Sequence, residues 1–403
     1  MQEYEDDKFN QLIDHFISKE GIKLANLQMD AEHFEANKKS LIETAQIVVS
    51  DIVGKDKTIS KNLIERFKSY MWGYYVIEPL LNDTDISDIK ILAWNNITYK
   101  KLGKRYISNL TFKNAQDYTR FINMICTRNK KNMSVIRPQV KFSDSLSNQY
   151  FRLRFNLSSG YINTSNVPSV HIRTISKVKV RLNDLVNRNY MTEAQKDYLT
   201  QKFKQGESII FIGANGSGKT TGLNALLEEY PKDKSGLIIQ ETDELFLNNH
   251  SMVNVQHTVE ANEGDVSHSL YELANFGLMD DDDMFVLGEV KSGEDAGALP
   301  AIIATGSQVL LTGHGNDERE GIYKLADYIK QSTDYSMEQC LKFFAGINLV
   351  CFIKKYKLKS ISRIDGWDYT TNNLIINKLD EKDLNSLNLE EFFMSVEDLE
   401  KGA

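Results

Sequence analysis

Residues 213–220 read Gly213-Ala214-Asn215-Gly216-Ser217-Gly218-Lys219-Thr220, which fits the pattern G-x-x-x-x-G-K-[ST]. This pattern works only between a strand and a helix, and the flanks predict both. The run Glu207 to Ile212 ends in four apolar residues and predicts a buried strand, while Leu223, Leu226 and Leu227 after Thr221 stand at helical spacing. In that setting the backbone N–H groups of the loop can wrap a phosphate at the helix's electropositive end. Gly213, Gly216 and Gly218 permit backbone angles and close approaches that a side chain blocks. Lys219 is placed to reach the β- and γ-phosphates. Thr220 is placed to hold Mg2+ through its hydroxyl, with Thr221 just inside the helix. The sequence therefore predicts binding of a nucleoside triphosphate.

The chain has 403 residues, enough for two or three domains, and a hydrophobic content of 41% supports real cores. A net charge of −8 gives no global basic field to capture nucleic acid. Cys126, Cys340 and Cys351 stand far apart, which suggests reduced thiols and neither a disulfide framework nor a zinc site. The acidic start, Met1 to Asp7, has no apolar segment of the secretory type. No apolar stretch approaches spanning length, so membrane association is expected to be peripheral.

Residues 1–70 read as a charged helical extension. Leu12, Ile13, Phe16 and Ile17 form one apolar face, and Leu41, Ile42, Ala45, Ile47 and Val48 another. Residues 71–176 read as an α+β domain. Short strands flank a turn at Asn95-Asn96, a helix runs from Ala115 to Arg128, and Phe151–Phe155 and Val170–Thr174 alternate as half-exposed strands. Residues 177–182 read as a basic, strand-like linker. Residues 183–379 carry five apolar strands, Ile209–Ile212, Gly236–Ile239, Met284–Leu287, Val309–Thr312 and Leu349–Ile353, with helices between several of them. That alternation predicts a mostly parallel sheet covered by helices. Residues 380–403 read as an acidic, helix-prone tail.

Three of these strands end in polar groups. Met284 to Leu287 leads through Gly288 to Glu289, the leading candidate to polarise an attacking water, because that water and Mg2+ need a nearby anion. Leu237 to Leu245 ends in Glu241 and Glu244, which are spaced to meet if the chain turns helical there. Val309 to Asn316 ends in Thr312 and His314, and a histidine there can sense a γ-phosphate. Taken singly, each has a plain alternative as a solvated or structural side chain. Together, beside a phosphate loop, they match the rule that α/β sheets bind ligands at the carboxyl ends of their strands. The run Asp280–Asp283 reads as a solvated acidic loop, since four consecutive acids cannot all face one ion.

These motifs, in this order, resemble the secretion-ATPase superfamily: the traffic ATPases of type II and type IV secretion, conjugation and type IV pili. Gly213–Thr220 is similar to its Walker A, Gln240–Leu245 to its Asp box, Gly288–Ala296 to its Walker B, and Thr312–Arg319 to its His box. Gly73–Asp83 and Ile86–Ile91 resemble the start of its N-terminal domain. The match covers roughly residues 60–375 and is closest to the conjugative type IV and tight-adherence pilus motors. It implies an α/β fold, with a RecA-like P-loop domain preceded by a smaller α+β, PAS-like domain and the helical extension. It implies an ATPase using ATP and Mg2+, with Arg152, Arg154 and Arg173 reaching the nucleotide across a domain or subunit junction. It further implies a cytoplasmic, hexameric ring docked on a membrane-embedded secretion or pilus platform, with nucleic acid only as cargo.

The chain departs from the family pattern in places. Where the family has Ile-Glu-Asp, this chain has Ile239-Gln240-Glu241, and Lys291 replaces an arginine whose bidentate contact it cannot reproduce. The stretch Thr305–Gln308 is one residue short, and the four-cysteine zinc module of some type II motors is absent. These departures keep open a ring subunit that binds ATP with little hydrolysis. A DNA-translocating RecA-like motor is another reading. A GTPase is a third, from Asn377-Lys378-Leu379-Asp380, which fits N-K-x-D, and Asp233–Gly236, which fits D-x-x-G. That D-x-x-G follows the loop too soon to close over a γ-phosphate from a separate strand.

Overall fold

A computed structural model describes residues 2–19, 34–54, 56–129, 131–144, 148–259 and 267–385. The expected tail beyond residue 385 and the side chain of Ile17 lie outside this description. The chain divides into two compact units, Met1–Lys177 and Val178–Ala403.

In the first unit, helices Gln2–Lys19, Phe34–Val53 and Lys57–Trp72 precede a six-stranded antiparallel sheet. Asp56 caps the third helix, accepting from the N–H groups of Thr58 and Ile59. That helix carries the chain across residue 70, and Phe9, Phe16, Leu41 and Phe67 share one core with the sheet residues Ile89, Phe155 and Ile172. Ile47, expected on the buried face, is 65% exposed. Leu41, Ala45, Val48 and Val49 follow the four- and three-residue steps of the buried stripe, and Ile47 lies two residues from Ala45, on the other side.

Strands β1 (Ile86–Ala93), β2 (Asn96–Lys101), β3 (Lys104–Ile107), β4 (Gln139–Asp144), β5 (Phe151–Ser158) and β6 (Ser169–Ser176) lie in the order β3-β2-β1-β6-β5-β4. The turn between β1 and β2 is Trp94-Asn95, one residue earlier than expected, with Ala93 opposite Asn96. The helix Ala115–Arg128 buries Tyr118, Phe121, Ile122 and Ile125. Along β5, Phe151, Leu153, Phe155 and Leu157 point inward while Arg152 and Arg154 stay half-exposed.

The second unit holds an eight-stranded sheet in the order β14-β13-β12-β7-β11-β10-β8-β9. Its strands are β7 (Ile209–Gly213), β8 (Gly236–Gln240), β9 (Val253–His257), β10 (Met284–Leu287), β11 (Gln308–Gly313), β12 (Leu349–Ile353), β13 (Leu358–Asp368) and β14 (Asn373–Lys378). From β12 to β9 all pairings are parallel, and β13 and β14 add an antiparallel edge. Burial on both faces explains the unbroken apolar runs. Ile210 and Ile212 belong to one core, and Ile209 and Phe211 to the core on the other face. The strand-like linker expected at 177–182 is not a strand. Lys179 is buried, bonded to the carbonyl oxygen of Phe246 and 3.2 Å from Glu228, so it is fixed to the second unit.

Candidate functional site

The site lies at the carboxyl ends of β7, β11, β10 and β8. β7 ends at Gly213, and the chain turns through residues 214–218 into the helix Lys219–Leu227. Gly216 (φ +66°) and Gly218 (φ +101°) adopt left-handed angles that a side chain disfavours. A Cβ on Gly213 would stand 2.3 Å from the carbonyl oxygen of Ile353 on β12. Above Gly216 there is open space, and Ala214 and Asn215 beside it are exposed. Thr220 and Thr221 sit half-buried in the first turn of the helix.

Lys219 is buried at the centre of this loop. Its Nζ donates to the carbonyl oxygens of Gly213 (3.1 Å) and Ala214 (3.2 Å) and lies 3.3 Å from Nδ1 of His314. An ammonium only donates, so Nδ1 accepts and the imidazole carries its proton on Nε2. Nε2 stands 3.0 Å from Oε1 of Glu289. His314 thus bridges the loop lysine and the carboxylate. Its hydrogen bond, aided by the charges of Lys219 and Lys291, holds the Glu289 carboxyl below its ordinary range. Burial lowers the affinity of Lys219 for its proton, and the charges of Glu289 and Glu244 act against that.

Sheet register makes these distances possible. β11 lies between β7 and β10, so His314 follows the strand beside the loop and Glu289 the next one out. Thr312, fully buried, donates to the carbonyl oxygen of Gly288 (2.7 Å), and the N–H of Val290 donates back to Thr312 (3.0 Å). Thr312 is thus a clamp under Glu289.

Beyond β10, residues 241–244 form bends and a turn, so the helical spacing that would bring Glu241 and Glu244 together is not realised. The cause is Gln240. Its buried Oε1 accepts from the N–H groups of Glu244 (3.0 Å) and Leu245 (2.7 Å), and its Nε2 donates to the Leu245 carbonyl oxygen (2.9 Å). A local side-chain bond of this kind displaces helical bonding. Glu241 forms an ion pair with Lys291. Two of the departures from the family pattern therefore serve one substructure: Gln240 shapes the loop and Lys291 pairs with its first acid.

Arg152 and Arg154 on β5 and Arg173 on β6 lie in the first unit, with Arg154 directly opposite Arg173. Arg173 Nε is 3.6 Å from Asp88. The residues that suggested a guanine reader have other tasks. The Asn377 amide donates to Asp365 (2.6 Å), and Asp380 accepts from the N–H groups of Lys382 and Asp383 at the start of the helix Glu381–Asn385. In the acidic run, Asp283 accepts from the N–H of Ser235 (2.9 Å). Among the described residues, no cluster of three or more His, Cys, Asp or Glu side chains can hold a metal on its own. The open crest at Gly216, the central Lys219 and the half-buried Thr220 fit a triphosphate, whose oxygens would complete the shell of an Mg2+ held by Thr220.

The family of type II/IV secretion system proteins matches residues 139–351, more than half of the chain. The chain belongs to this family. It is 25% identical over 251 residues to an uncharacterized protein of Methanocaldococcus jannaschii, covering 62% of this chain and 44% of that one. It is 32% identical over 120 residues to the competence protein ComGA of Bacillus subtilis, covering 30% of this chain and 32% of that one. The chain thus spans less than half the length of the curated relatives it matches. Among solved structures it is similar to the ATPase DotB of Legionella pneumophila (17% identity, 77% and 80% of the two chains, TM-score 0.49). It is also similar to the VirB11 ATPase of the Brucella suis type IV secretion system (16%, 77% and 98%, 0.34).

Around the motifs of this family member stand residues that no motif announces. Tyr190, ahead of the loop in sequence, donates from its hydroxyl to the Gly218 carbonyl oxygen (2.9 Å). Tyr356, after β12, bonds to the loop through its N–H. Neither belongs to a spacing pattern, and only the pairing of β12 with β7 brings Tyr356 there.

Proposed function

We propose that this family member is an ATP-hydrolysing motor subunit. It works as a six-membered ring and powers a type IV secretion, conjugation or pilus machine from the cytoplasmic face, through a membrane-embedded platform protein. The observation that carries the reading is the bridge from Lys219 through His314 to Glu289, set at the mouth of a glycine loop. Such a bridge gives a loop that binds phosphate a carboxylate kept ionised and a histidine able to change partners.

The loop N–H groups and Lys219 bind the β- and γ-phosphates, and Thr220 holds Mg2+, which when bound neutralises phosphate charge. Glu289 accepts a proton from the attacking water, and its lowered carboxyl pKa keeps it in the accepting form. His314 leaves Glu289 for the γ-phosphate and so reports its presence. Arg152, Arg154 and Arg173 supply the charge that a triphosphate attracts and a diphosphate releases, and rocking of the two units about their junction is the mechanical output. Among the described residues no helix is long and apolar enough to cross a membrane.

The ion pair between Lys291 and Glu241 favours a second reading, a ring subunit that binds ATP and turns it over slowly, because the pair takes a carboxylate out of play. The deciding experiment is turnover by the purified protein with ATP and with GTP, with and without DNA. The motor reading expects ATP turnover that Lys219→Ala abolishes. ATP binding without turnover supports the second reading. Preference for GTP, or turnover that DNA stimulates, would replace both.

A further inference from the structure

The hairpin between β12 and β13 leaves the sheet beside the glycine loop, because Ile353 is the register partner of Gly213. Its tip is Lys354-Lys355-Tyr356-Lys357, all four exposed. The N–H of Lys354 donates to the Lys357 carbonyl oxygen (2.9 Å) and the N–H of Lys357 donates back (3.2 Å). Both central residues are left-handed, Lys355 at φ +52° and Tyr356 at φ +56°. A two-residue turn of this type is served best by Asn-Gly, and a bulky residue in that region is strained. Strain of this kind, where surrounding structure enforces it, clusters at ligand sites.

The position of the ring gives the strain a use. The N–H of Tyr356 donates to the Ser217 carbonyl oxygen (3.0 Å), which fastens the tip to the loop. A Cβ built on Gly218 would stand 3.1 Å from Tyr356 Cδ1 and 3.1 Å from Tyr190 Cε2. Both tyrosine rings therefore come close to Gly218. Tyr190 is buried and braces the loop, whereas Tyr356 is 62% exposed and offers most of its ring to solvent.

We propose that Tyr356 is the platform on which the nucleobase of the bound triphosphate stacks, with Lys354, Lys355 and Lys357 drawing the anion to it. The inference rests on the reading of residues 213–220 as a triphosphate cradle. A nucleoside attached to phosphates in that loop emerges within reach of its walls, and Tyr356 is an exposed aromatic ring forming one of them. Stacking on an aromatic face accepts any base, so the platform supplies affinity without choosing between ATP and GTP.

The test is calorimetric binding of ATP and of inorganic tripolyphosphate to the full chain, wild type and variants. Tyr356→Asn suits the left-handed backbone and removes the ring, and Tyr356→Trp keeps an aromatic face. Tyr356→Asn is expected to weaken ATP about tenfold and leave tripolyphosphate within about twofold, and Tyr356→Trp to retain ATP affinity. Unchanged ATP affinity in Tyr356→Asn, or equal weakening of both ligands, overturns the platform. Wild-type protein that binds neither ligand overturns the cradle reading itself. If Tyr356→Asn instead loses binding of a single-stranded oligonucleotide with ATP unaffected, the hairpin is a nucleic-acid contact and the platform is refuted.

Discussion

His314 and Glu289 meet across the ends of two adjacent parallel strands, with Nε2 3.0 Å from Oε1. The contact joins a group that can sense phosphate to one that can take a proton from water. Glu289→Gln keeps the shape of the side chain and removes its basicity. It is expected to bind ATP as the wild type does and to turn it over about a hundredfold or more slowly. Single-turnover kinetics with bound ATP checks this, and a normal rate would mean that another residue is the base.

His314→Asn tests the electrostatic half of the contact. The histidine bond is the largest cause holding the Glu289 carboxyl low, so its loss lets that carboxyl gain a proton at higher pH. The acid limb of the turnover profile is expected to move up in His314→Asn. Stability follows the same sign: a depressed carboxyl stabilises the fold above its unfolded value, and that contribution is lost as pH falls through the folded one. A profile that drops in height without moving its acid limb would separate His314 from Glu289.

Gln240→Glu restores the residue type of the family pattern, yet it is expected to destabilise this chain. An ionised carboxylate can accept from the N–H groups of Glu244 and Leu245 but cannot donate to the Leu245 carbonyl oxygen as the amide does. A lost donor in a buried site costs about 1–3 kcal/mol. Urea denaturation of the variant should register it, and a variant of equal or greater stability would show that the loop accepts a carboxylate by rearranging.

Much of this is legible in the sequence. Gly213–Thr220 announced its strand and helix because the pattern is local, and Glu289 and His314 were legible because each ends an apolar run. The bend at Glu241–Glu244 was not, because spacing alone cannot show that the Gln240 amide ties down the backbone four and five residues ahead. Ile47 was misplaced because a dense apolar run supports more than one helical stripe, and packing chose the one through Val49. Tyr190 and Tyr356 reach the loop only through tertiary contacts and strand pairing across long sequence separations, which no local pattern carries.

Lys179, expected within a linker, has a side chain only 3% exposed, with its ammonium on the Phe246 carbonyl oxygen and beside Glu228. Burial pushes its pKa down to about 8, with the charge of Glu228 acting against the shift. An unfolded lysine titrates near 10.4, so between about pH 8 and 10 the unfolded chain binds more protons and this group makes stability rise with pH. Lys179→Arg keeps its charge throughout and gains nothing. The wild type is therefore expected to gain, relative to the variant, on the order of 1 kcal/mol or more from about pH 7.5 to 9.5 in urea denaturation. Because the Phe246 N–H also donates to Oδ1 of Asn224 on the loop helix, this lysine ties the start of the second unit to the segment carrying Glu241 and Glu244. A difference between the two proteins that stays constant across that range would mean that Lys179 is charged throughout and that the burial argument is wrong.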